Sequence, residues 1–210
     1  MHSDLLVSAI MPTRGRCKWA LDAVRMFQSQ TWKNKELIII DDMMEPSFPH
    51  GMDGDGIHHY RLPRITIGGK RNLAISRSSG DIIMHWDSDD IYSDDRMESQ
   101  VTDLLCGEWD MCGYNEIEFV DDEHRKRYLY TGIEGYCVGV SMAYWRDTWE
   151  KQQFADIDKG EDNQFAHVPG RRTHTVKSNG RIIARIHSGN TCDKREGIVA
   201  DKLRWVTLPY

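Results

Sequence analysis

Three mostly apolar segments in the first half of this chain constrain its fold more than any other feature. They are Leu5 to Met11, Glu36 to Ile40 and Asp81 to Trp86. Mostly apolar segments of this length are typical of strands that are buried on both faces of a parallel sheet. Apolar residues at helical spacing lie between them, from Trp19 to about Ser29 and from Lys70 to Ser78. Strands that alternate with helices predict βαβ crossovers, and therefore an α/β fold with a mainly parallel central sheet flanked by helices.

The elements expected in the rest of the chain change in character after residue 108. Before that point we predict a loop from Met43 to Gly56, a short strand from His58 to Leu62, and a helix from an N-cap at Ser93 to Leu105. After it we predict strands at 111–120, 126–130 and 136–145, a helix at 149–154, and a hairpin at 173–187 that turns at 178–180. The second half therefore predicts a small antiparallel region beside the parallel sheet.

Length and composition fit one soluble globular domain. The chain has 210 residues, of which 40% are hydrophobic, and no apolar run approaches the roughly 18 residues of a membrane-spanning helix. The start, Met1 to Leu5, lacks the pattern of a signal peptide, and the five cysteines form no C-x-x-C pair, so we expect reduced thiols in a cytoplasmic protein. A formal charge of −6 argues against a broad basic surface that grips nucleic acid.

Two of the predicted strands end directly in acidic residues. One runs into Asp41 and Asp42, and the other runs into Asp87-Ser88-Asp89-Asp90. The carboxyl ends of parallel strands lie at one edge of a sheet, where ligands bind, and carboxylates gathered there repel one another unless a cation lies between them. The pattern predicts a site for Mg²⁺ or Mn²⁺, which bind carboxylates together with substrate phosphate oxygens. Helix capping and solvation of turn acids remain the alternative explanation.

Five segments, in order along the chain, resemble a known family. They are Leu6-Val-Ser-Ala-Ile-Met-Pro-Thr-Arg-Gly-Arg16, Leu37-Ile-Ile-Ile-Asp-Asp42, Gly69-Lys-Arg-Asn-Leu-Ala-Ile-Ser-Arg-Ser-Ser-Gly-Asp-Ile-Ile-Met-His-Trp-Asp-Ser-Asp-Asp90, Gly160-Glu-Asp-Asn163 and Arg185-Ile-His-Ser-Gly-Asn-Thr191. They resemble the first strand, the second strand, the helix and strand before the Asp-x-Asp motif, the Glu-Asp motif and the late His segment of family 2 glycosyltransferases with the GT-A fold. The resemblance implies a single GT-A-like domain over residues 1–210. Its nucleotide-sugar half would be about residues 1–105, and its acceptor and catalytic-base half about 106–210.

The resemblance also implies a role for each matching residue. Donor-binding residues would be Pro12, Thr13, Arg14, Asp41, Asp42, Lys70, Arg71, Asp87 and Ser88; metal ligands would be Asp89, Asp87 and His187; the catalytic base would be Asp162, with Glu161 as second choice. The donor would be a nucleotide-diphosphate sugar, usually a UDP-sugar, and the cofactor Mn²⁺ or Mg²⁺. The chain departs from the family at Met43-Met44, where Gly-Ser is usual, so the loop on the ribose side differs.

These roles agree with the chemistry of sugar transfer. A leaving diphosphate gains negative charge, which a divalent ion with Arg or Lys stabilises, and a carboxylate that takes the acceptor proton accelerates transfer by about 10²–10⁴-fold. A base on the face opposite the leaving group implies inversion of the anomeric centre. Structural roles remain the alternatives for individual residues: Glu161 and Asp162 as first-turn acids of a short helix, and His187 as a histidine that ends an apolar strand.

The acceptor is not defined by the sequence. A hydroxyl of a saccharide or small molecule is the first expectation, and a modified DNA base is an alternative. A basic track for DNA would consist of Arg61, Arg64, Lys70, Arg71, Arg77, Arg171, Arg172, Lys177, Arg181 and Arg185. The acids at the sheet edge are also compatible with a nucleotidyltransferase or a non-catalytic nucleotide-sugar-binding protein, although the Pro12 to Arg16 turn is a poor match to a Gly-rich phosphate loop.

Overall fold

The parallel part of the sheet is built as the apolar runs predict. The computed structural model describes residues 4–15, 17–43, 54–192, 194–201 and 203–210. Elements of the first half are β1 (Val7–Thr13), α1 (Cys17–Ser29), β2 (Lys35–Asp41), β3 (Ile57–Arg61), α2 (Ile67–Arg77), β4 (Ile82–His85), β5 (Ile91–Tyr92) and α3 (Arg96–Leu105). β1 lies between β2 and β4 and is parallel to both, and β3 extends the parallel set beyond β2. The expected α/β fold with a mainly parallel central sheet is therefore confirmed.

The second half adds the antiparallel strands. Its elements are β6 (Met111–Asp121), β7 (Lys126–Thr131), β8 (Ala143–Trp145), α4 (Arg146–Lys151), α5 (Glu161–Ala166), β9 (Thr173–Lys177), β10 (Ile182–Arg185), α6 (Lys194–Ala200) and β11 (Trp205–Leu208). The strands follow the order β11-β7-β6-β8-β4-β1-β2-β3, with β8 antiparallel to β4 and to β6. Thus β8 joins the parallel half of the sheet to the antiparallel half.

A separate hydrophobic core lies on each face of the central sheet, which explains why β2 is apolar at every position from Leu37 to Ile40. Leu37 and Ile39 pack on one face with side chains of α1 and α3. Ile38 and Ile40 pack on the other face with side chains of α2. All four are fully buried, and each contributes roughly 1.5–3 kcal/mol through burial of its side chain.

The predicted hairpin at 173–187 is wrong. β9 and β10 do not pair with each other; both lie parallel to β6, β9 beside its first half and β10 beside its second half. Between the two strands the chain forms a turn at Asn179 and Gly180, whose φ angles are 49° and 80°. The Ser178 hydroxyl donates to the Ile182 carbonyl and accepts from the Ile182 amide. Because β6 spans 11 residues, its edge is long enough to accept both short strands end to end.

Three other predicted elements differ in detail. The strand expected at 136–145 is a 3₁₀ turn at Gly139–Ser141 followed by the short β8, and the helix expected at 149–154 is α4, which begins at Arg146 and ends at Lys151. Ser93 is not the N-cap of α3: the helix begins at Arg96, and the Ser93 hydroxyl bonds the Asp95 carboxylate instead. Of the loop expected at 43–56, residues 44–53 lie outside the described residues. Among the described helices, none combines the length and the apolar character that crossing a bilayer requires.

Candidate active site

A cleft of about 770 Å³ lies over the carboxyl ends of the parallel strands. The sequence-predicted residues that line it are Pro12, Thr13, Arg14, Asp42, Lys70, Arg71, Asp87, Asp89, Glu161, Asp162 and His187. The structure therefore brings the donor-binding, metal-binding and base candidates to one concave surface. Asp41 and Ser88 are buried beneath it and do not line the cleft.

The two acids after β2 point in different directions. Asp41 is fully buried, with Oδ1 accepting from the Met43 amide at 3.0 Å and Oδ2 lying 3.7 Å from Nε2 of His59. Asp42 lines the cleft, and its Oδ1 lies 2.6 Å from Nζ of Lys70. Successive strand side chains alternate between faces, so only one of the pair reaches the cleft. Of these two acids, only Asp42 is placed to contact a ligand in the cleft.

Lys70 is held at the bottom of the cleft, beside the ends of β1 and β2. Its Nζ donates to the Thr13 carbonyl at 3.1 Å as well as to Asp42. Burial lowers the pKa of Lys70, and the bond to Asp42 opposes that shift. The Thr13 hydroxyl donates to the buried Ser88 hydroxyl at 3.0 Å. The ends of β1, β2 and β4 are thus tied together by polar contacts under the cleft.

Helix α2 begins unusually close to the loop that precedes α5. Its N-cap, Thr66, accepts a hydrogen bond from the Gly69 amide at 3.0 Å, while the Gly68 amide donates to the Ile157 carbonyl at 3.1 Å. A Cβ at Gly68 would lie 1.8 Å from the Ala155 carbonyl oxygen, so only glycine permits this approach. The consequence is that the first turn of α2, with its Lys70-Arg71 pair, faces α5.

Arg71 bridges the two acidic elements of the cleft. Its Nη2 lies 3.5 Å from Oδ1 of Asp87, and its Nε lies 3.3 Å from Oε1 of Glu161. Burial lowers the pKa of Arg71, but Asp87, Glu161 and Asp162 outweigh it, so that the pKa is raised and the guanidinium stays charged. Burial also raises the pKa of Glu161, with Arg71 opposing the shift. Glu161 therefore serves as a buried counter-ion of Arg71.

Asp162 occupies a different environment from Glu161. It is half-buried, lines the cleft and forms no ion pair with a described residue; its Oδ1 accepts from the Asn163 amide at 2.7 Å. Gly160, with a φ of 81°, turns the chain into α5 so that both acids lie in its first turn. Of the two base candidates, the structure favours Asp162 by position.

Asp89 and His187 meet on the other side of the cleft. Nε2 of His187 lies 2.8 Å from Oδ2 of Asp89, and the His187 amide donates to Oδ1 of Asn190 at 2.8 Å. The indole of Trp19 packs on the imidazole, with the ring centres 4.3 Å apart. Beside them Asp90 is buried and accepts from the Arg185 amide at 2.9 Å; burial and then Asp89 and Asp87 raise its pKa well above the usual value.

Asp89 and His187 offer donor types that suit a divalent cation. The Asp89 carboxylate lies 2.8 Å from Nε2 of His187, whose Nδ1 accepts from the Gly189 amide, and the Asp87 carboxylate lines the same cleft with Oδ1 3.5 Å from Nη2 of Arg71. Carboxylates suit Mg²⁺ and Mn²⁺ alike, while an imidazole ligand favours a transition metal over Mg²⁺. The donor types of Asp89 and His187 thus suit Mn²⁺, while the donor atoms of Asp87, Asp89 and His187 do not all lie within 4.8 Å of one another in this structure.

Sequence reasoning missed three residues of this site. Trp19 has the helical spacing of a core residue, Asn190 lies in the late His segment without a role implied for it, and Gly139 lies inside a predicted strand. A Gly-Asn pair after a histidine that ends a strand is the only signal that points to Asn190. Nothing in the sequence indicates that Gly139 contacts Asp162, because the contact joins segments that are distant along the chain.

Comparison with known proteins identifies the family. The sequence profile of "Glycosyl transferase family 2" matches residues 8–159. An uncharacterized glycosyltransferase of Rickettsia conorii is 30% identical over 103 residues, and one of Rickettsia felis is 31% identical over 102 residues; each match covers 47% of this chain and 17% of the relative. This chain therefore spans less than a fifth of the length of these curated relatives.

Solved structures share the fold at low sequence identity. S. aureus TarS 1–349 superposes with a TM-score of 0.68 at 14% identity, covering 86% of this chain and 60% of that one. Its complex with UDP-GlcNAc gives 0.67 at 14%, with coverage of 89% and 60%. The mannosyltransferase PcManGT of Pyrobaculum calidifontis, in complex with GDP-Man and Mn²⁺, gives 0.66 at 13%, with coverage of 88% and 58%. These likenesses confirm the GT-A fold, and because the family profile covers well over half of the sequence, the chain belongs to glycosyl transferase family 2.

Proposed function

We propose that this protein is a metal-dependent, inverting glycosyltransferase that moves a sugar from a nucleotide-diphosphate donor to an acceptor hydroxyl. The observation that carries the proposal is the convergence of two chemically different groups in one cleft. The Asp89–His187 pair offers a cation site, and Asp162 offers a carboxylate that pairs with no described cation. Leaving-group stabilisation and proton removal are the two functions that sugar transfer requires.

The nucleotide is assigned to the side of the cleft formed by the β1 and β2 ends. Asp42 is the acceptor for an N–H of the base, with Pro12, Thr13 and Arg14 beside it and Lys70 beneath. UDP is the preferred nucleotide, in line with the UDP and UDP-GlcNAc complexes of S. aureus TarS. PcManGT, however, is described with GDP-Man, so the screen below includes guanosine donors.

The residues proposed to hold the cation are Asp89, Asp87 and His187. Mn²⁺ is the preferred ion because the set includes an imidazole, and PcManGT is described with Mn²⁺. When bound, the ion supplies positive charge at the diphosphate, where negative charge develops as the sugar leaves. Arg71, whose Nη2 lies 3.5 Å from Asp87, adds a fixed positive charge on the same side.

Asp162 is proposed as the general base. Its Oδ1 accepts from the Asn163 amide, which holds the carboxylate in the cleft to take the acceptor proton. Glu161 is bound to Arg71 and is less suited to this role. A base on the side of the sugar opposite the diphosphate implies single displacement and inversion. Asp162→Asn keeps the size of the side chain and should lower kcat for transfer by about 10²–10⁴-fold while sparing donor affinity.

A saccharide or small-molecule hydroxyl is the proposed acceptor. Most of the ten cations expected in a DNA track are engaged elsewhere, since six of them form ion pairs with carboxylates within the described chain. These six are Lys70, Arg71, Arg172, Lys177, Arg181 and Arg185. Paired surface cations offer little charge to a phosphate backbone, which disfavours a DNA base as the acceptor.

The test is a screen of nucleotide sugars for hydrolysis, which needs no knowledge of the acceptor. We expect one UDP- or GDP-sugar to be turned over with Mn²⁺ and not with a chelator, and Asp162→Asn to bind it without turnover. Calorimetry with UDP, with and without Mn²⁺, accompanies the screen. Metal-independent binding would contradict the Asp89–His187 site, and metal-dependent binding without turnover of any donor would favour a non-catalytic binder. Pyrophosphate release from a nucleoside triphosphate would favour a nucleotidyltransferase.

A further inference from the structure

Three consecutive carbonyls of the 3₁₀ turn are each bound by a buried side chain. Nδ1 of His85 lies 2.7 Å from the Gly139 oxygen, Nη2 of Arg96 donates to the Val140 oxygen at 3.3 Å, and Nε2 of Gln100 donates to the Ser141 oxygen at 2.7 Å. A carbonyl only accepts, so Nδ1 of His85 carries the proton. Burial, followed by the charges of Arg71 and Arg96, lowers the pKa of His85 well below its usual value, which keeps the ring neutral.

Hydrogen bonds also join these three residues to one another, and we call the set the bracket: His85, Arg96 and Gln100. Nη2 of Arg96 donates to the His85 carbonyl at 2.7 Å, and its Nε donates to Oε1 of Gln100 at 3.0 Å. Its guanidinium lies against the rings of Trp86 and Tyr92, at 5.1 and 4.7 Å from their centres. Every member is fully buried. The bracket thus connects the end of β4, immediately before the Asp87–Asp90 segment, with the 3₁₀ turn.

Arg96 is costly to keep in this position. It forms no ion pair with a described residue, and its Nη1 has no hydrogen-bond partner among them. A buried cation without a carboxylate costs free energy that apolar packing would avoid. Apolar packing alone would not select an arginine here, whereas its hydrogen bonds to the His85 and Val140 carbonyls hold the turn against β4.

The opposite side of the turn touches the proposed base. A Cβ built on Gly139 would lie 1.8 Å from Oδ2 and 2.8 Å from Cγ of Asp162. The Asp162 carboxylate therefore rests directly on the Gly139 backbone, and both residues line the cleft. The position of this turn sets how far the carboxylate extends toward the Asp89–His187 pair.

We propose that His85, Arg96 and Gln100 are positioning residues, which hold Gly139 so that its bare backbone orients the Asp162 carboxylate. This inference rests on the proposed role of Asp162 as the base. Because β4 holds both the turn and the Asp87–Asp90 segment, the two keep a fixed relative position. That position sets the distance between the base and the diphosphate site, on which the rate of transfer depends steeply.

The first experiment compares Gly139→Ala with Gly180→Ala. At Gly139 the added methyl group meets only atoms of the Asp162 side chain, namely Oδ2, Cγ and Cβ, so the carboxylate has to rotate away. We expect kcat to fall about 10²-fold, with UDP affinity within about threefold of the wild type. Gly180 has a φ of 80° and open space around it, so Gly180→Ala strains the backbone, lowers Tm and leaves kcat unchanged.

The second experiment is a matched pair at His85. The amide of Asn places a donor where Nδ1 of His85 lies, whereas Leu offers none. We expect His85→Asn to keep kcat within about tenfold of the wild type, and His85→Leu to lower it by about 10²-fold at a similar KM for the donor. A role in packing alone would not separate these two variants in this order.

The outcomes separate this inference from the proposed function. Unchanged kcat in Gly139→Ala, parallel loss of UDP affinity and kcat, or equal defects in the two His85 variants would each overturn the positioning role. A crystal structure of Gly139→Ala provides a readout that does not depend on turnover: we expect a rotated Asp162 carboxylate on an unmoved turn. If the wild type turns over no donor while that rotation is present, the proposed function fails and the positioning geometry stands. If the Asp162 carboxylate of Gly139→Ala keeps its wild-type orientation, the positioning role is overturned whatever the turnover of the wild type.

Discussion

Removal of Arg71 gives the most quantitative test of how the cleft is held together. The guanidinium lies 3.5 Å from Asp87 and 3.3 Å from Glu161, whose side chains are 28% and 6% exposed. Removing one partner of a buried ion pair costs about 3–5 kcal/mol, because the other charge is left buried and uncompensated. Since both distances are long and Asp87 is partly hydrated, we expect Arg71→Met to lower the free energy of unfolding by about 2–3 kcal/mol.

The pH dependence of that loss has a definite sign. Without Arg71, the pKa of Glu161 rises further above its usual value, because the positive charge that opposes the effect of burial is gone. The penalty falls on the ionised form, so it is complete near pH 7 and shrinks as the pH falls toward the unfolded-state pKa of about 4.3. The difference in stability between wild type and variant should therefore narrow between about pH 7 and pH 4.5.

Urea unfolding at these two pH values measures the effect. The matched control is the double variant Arg71→Met with Glu161→Gln, which removes the buried charge together with its partner and should recover about 1 kcal/mol or more of the loss. A urea midpoint of Arg71→Met equal to that of the wild type, or a double variant less stable than the single one, would refute this account of the cleft. A stability difference between wild type and Arg71→Met that increases at low pH would refute it too.

Three further predictions concern packing and charge outside the cleft. Gly68→Ala should lower stability by about 1–3 kcal/mol and reduce donor turnover, because its methyl group meets the Ala155 carbonyl; thermal unfolding and the hydrolysis assay measure both. Ile39→Ala, in the fully buried middle of β2, should cost about 2–5 kcal/mol, and an unchanged urea midpoint would contradict the two-core packing. Hydrogen bonds from Arg195 lower the pKa of Asp121 to about 2, so this pair stabilises the fold above the usual aspartate pKa, and the stabilisation is lost as the pH falls from about 4 to 2. Arg195→Met should therefore show a lower Tm than the wild type at pH 7 and an equal Tm near pH 2, which thermal scans at the two pH values can check.

The sequence predicted the parallel half of the sheet well because its pattern is decided locally. Every residue from Leu37 to Ile40 is buried in one of the two cores, so an uninterrupted apolar run indicates a strand with helices on both faces. The acids that follow such runs lie at the carboxyl edge by topology alone. For that reason most residues of the candidate site were predicted to meet, and they do line one cleft.

The parts that could not be predicted depend on contacts between distant segments. The 3₁₀ turn replaces a strand at 139–141 because its carbonyls bind side chains from β4 and α3 instead of a neighbouring strand. The hairpin at 173–187 fails because β6 is long enough to take both strands, which no local turn signal reveals. Which of Asp41 and Asp42 faces the cleft depends on the direction of alternation at the end of β2, and the sequence leaves that open.

The alternation of β2 between its two cores has a consequence for the proposed nucleotide site. Were this strand to slip by a single residue, its odd and even side chains would exchange layers, and Asp42 would turn inward while Asp41 swung out. The misaligned protein would thus lose the fit of both helical layers at the same moment as it lost its ligand contact. A register shift in β2 would therefore disrupt the packing of both cores and the proposed nucleotide contact of Asp42 together.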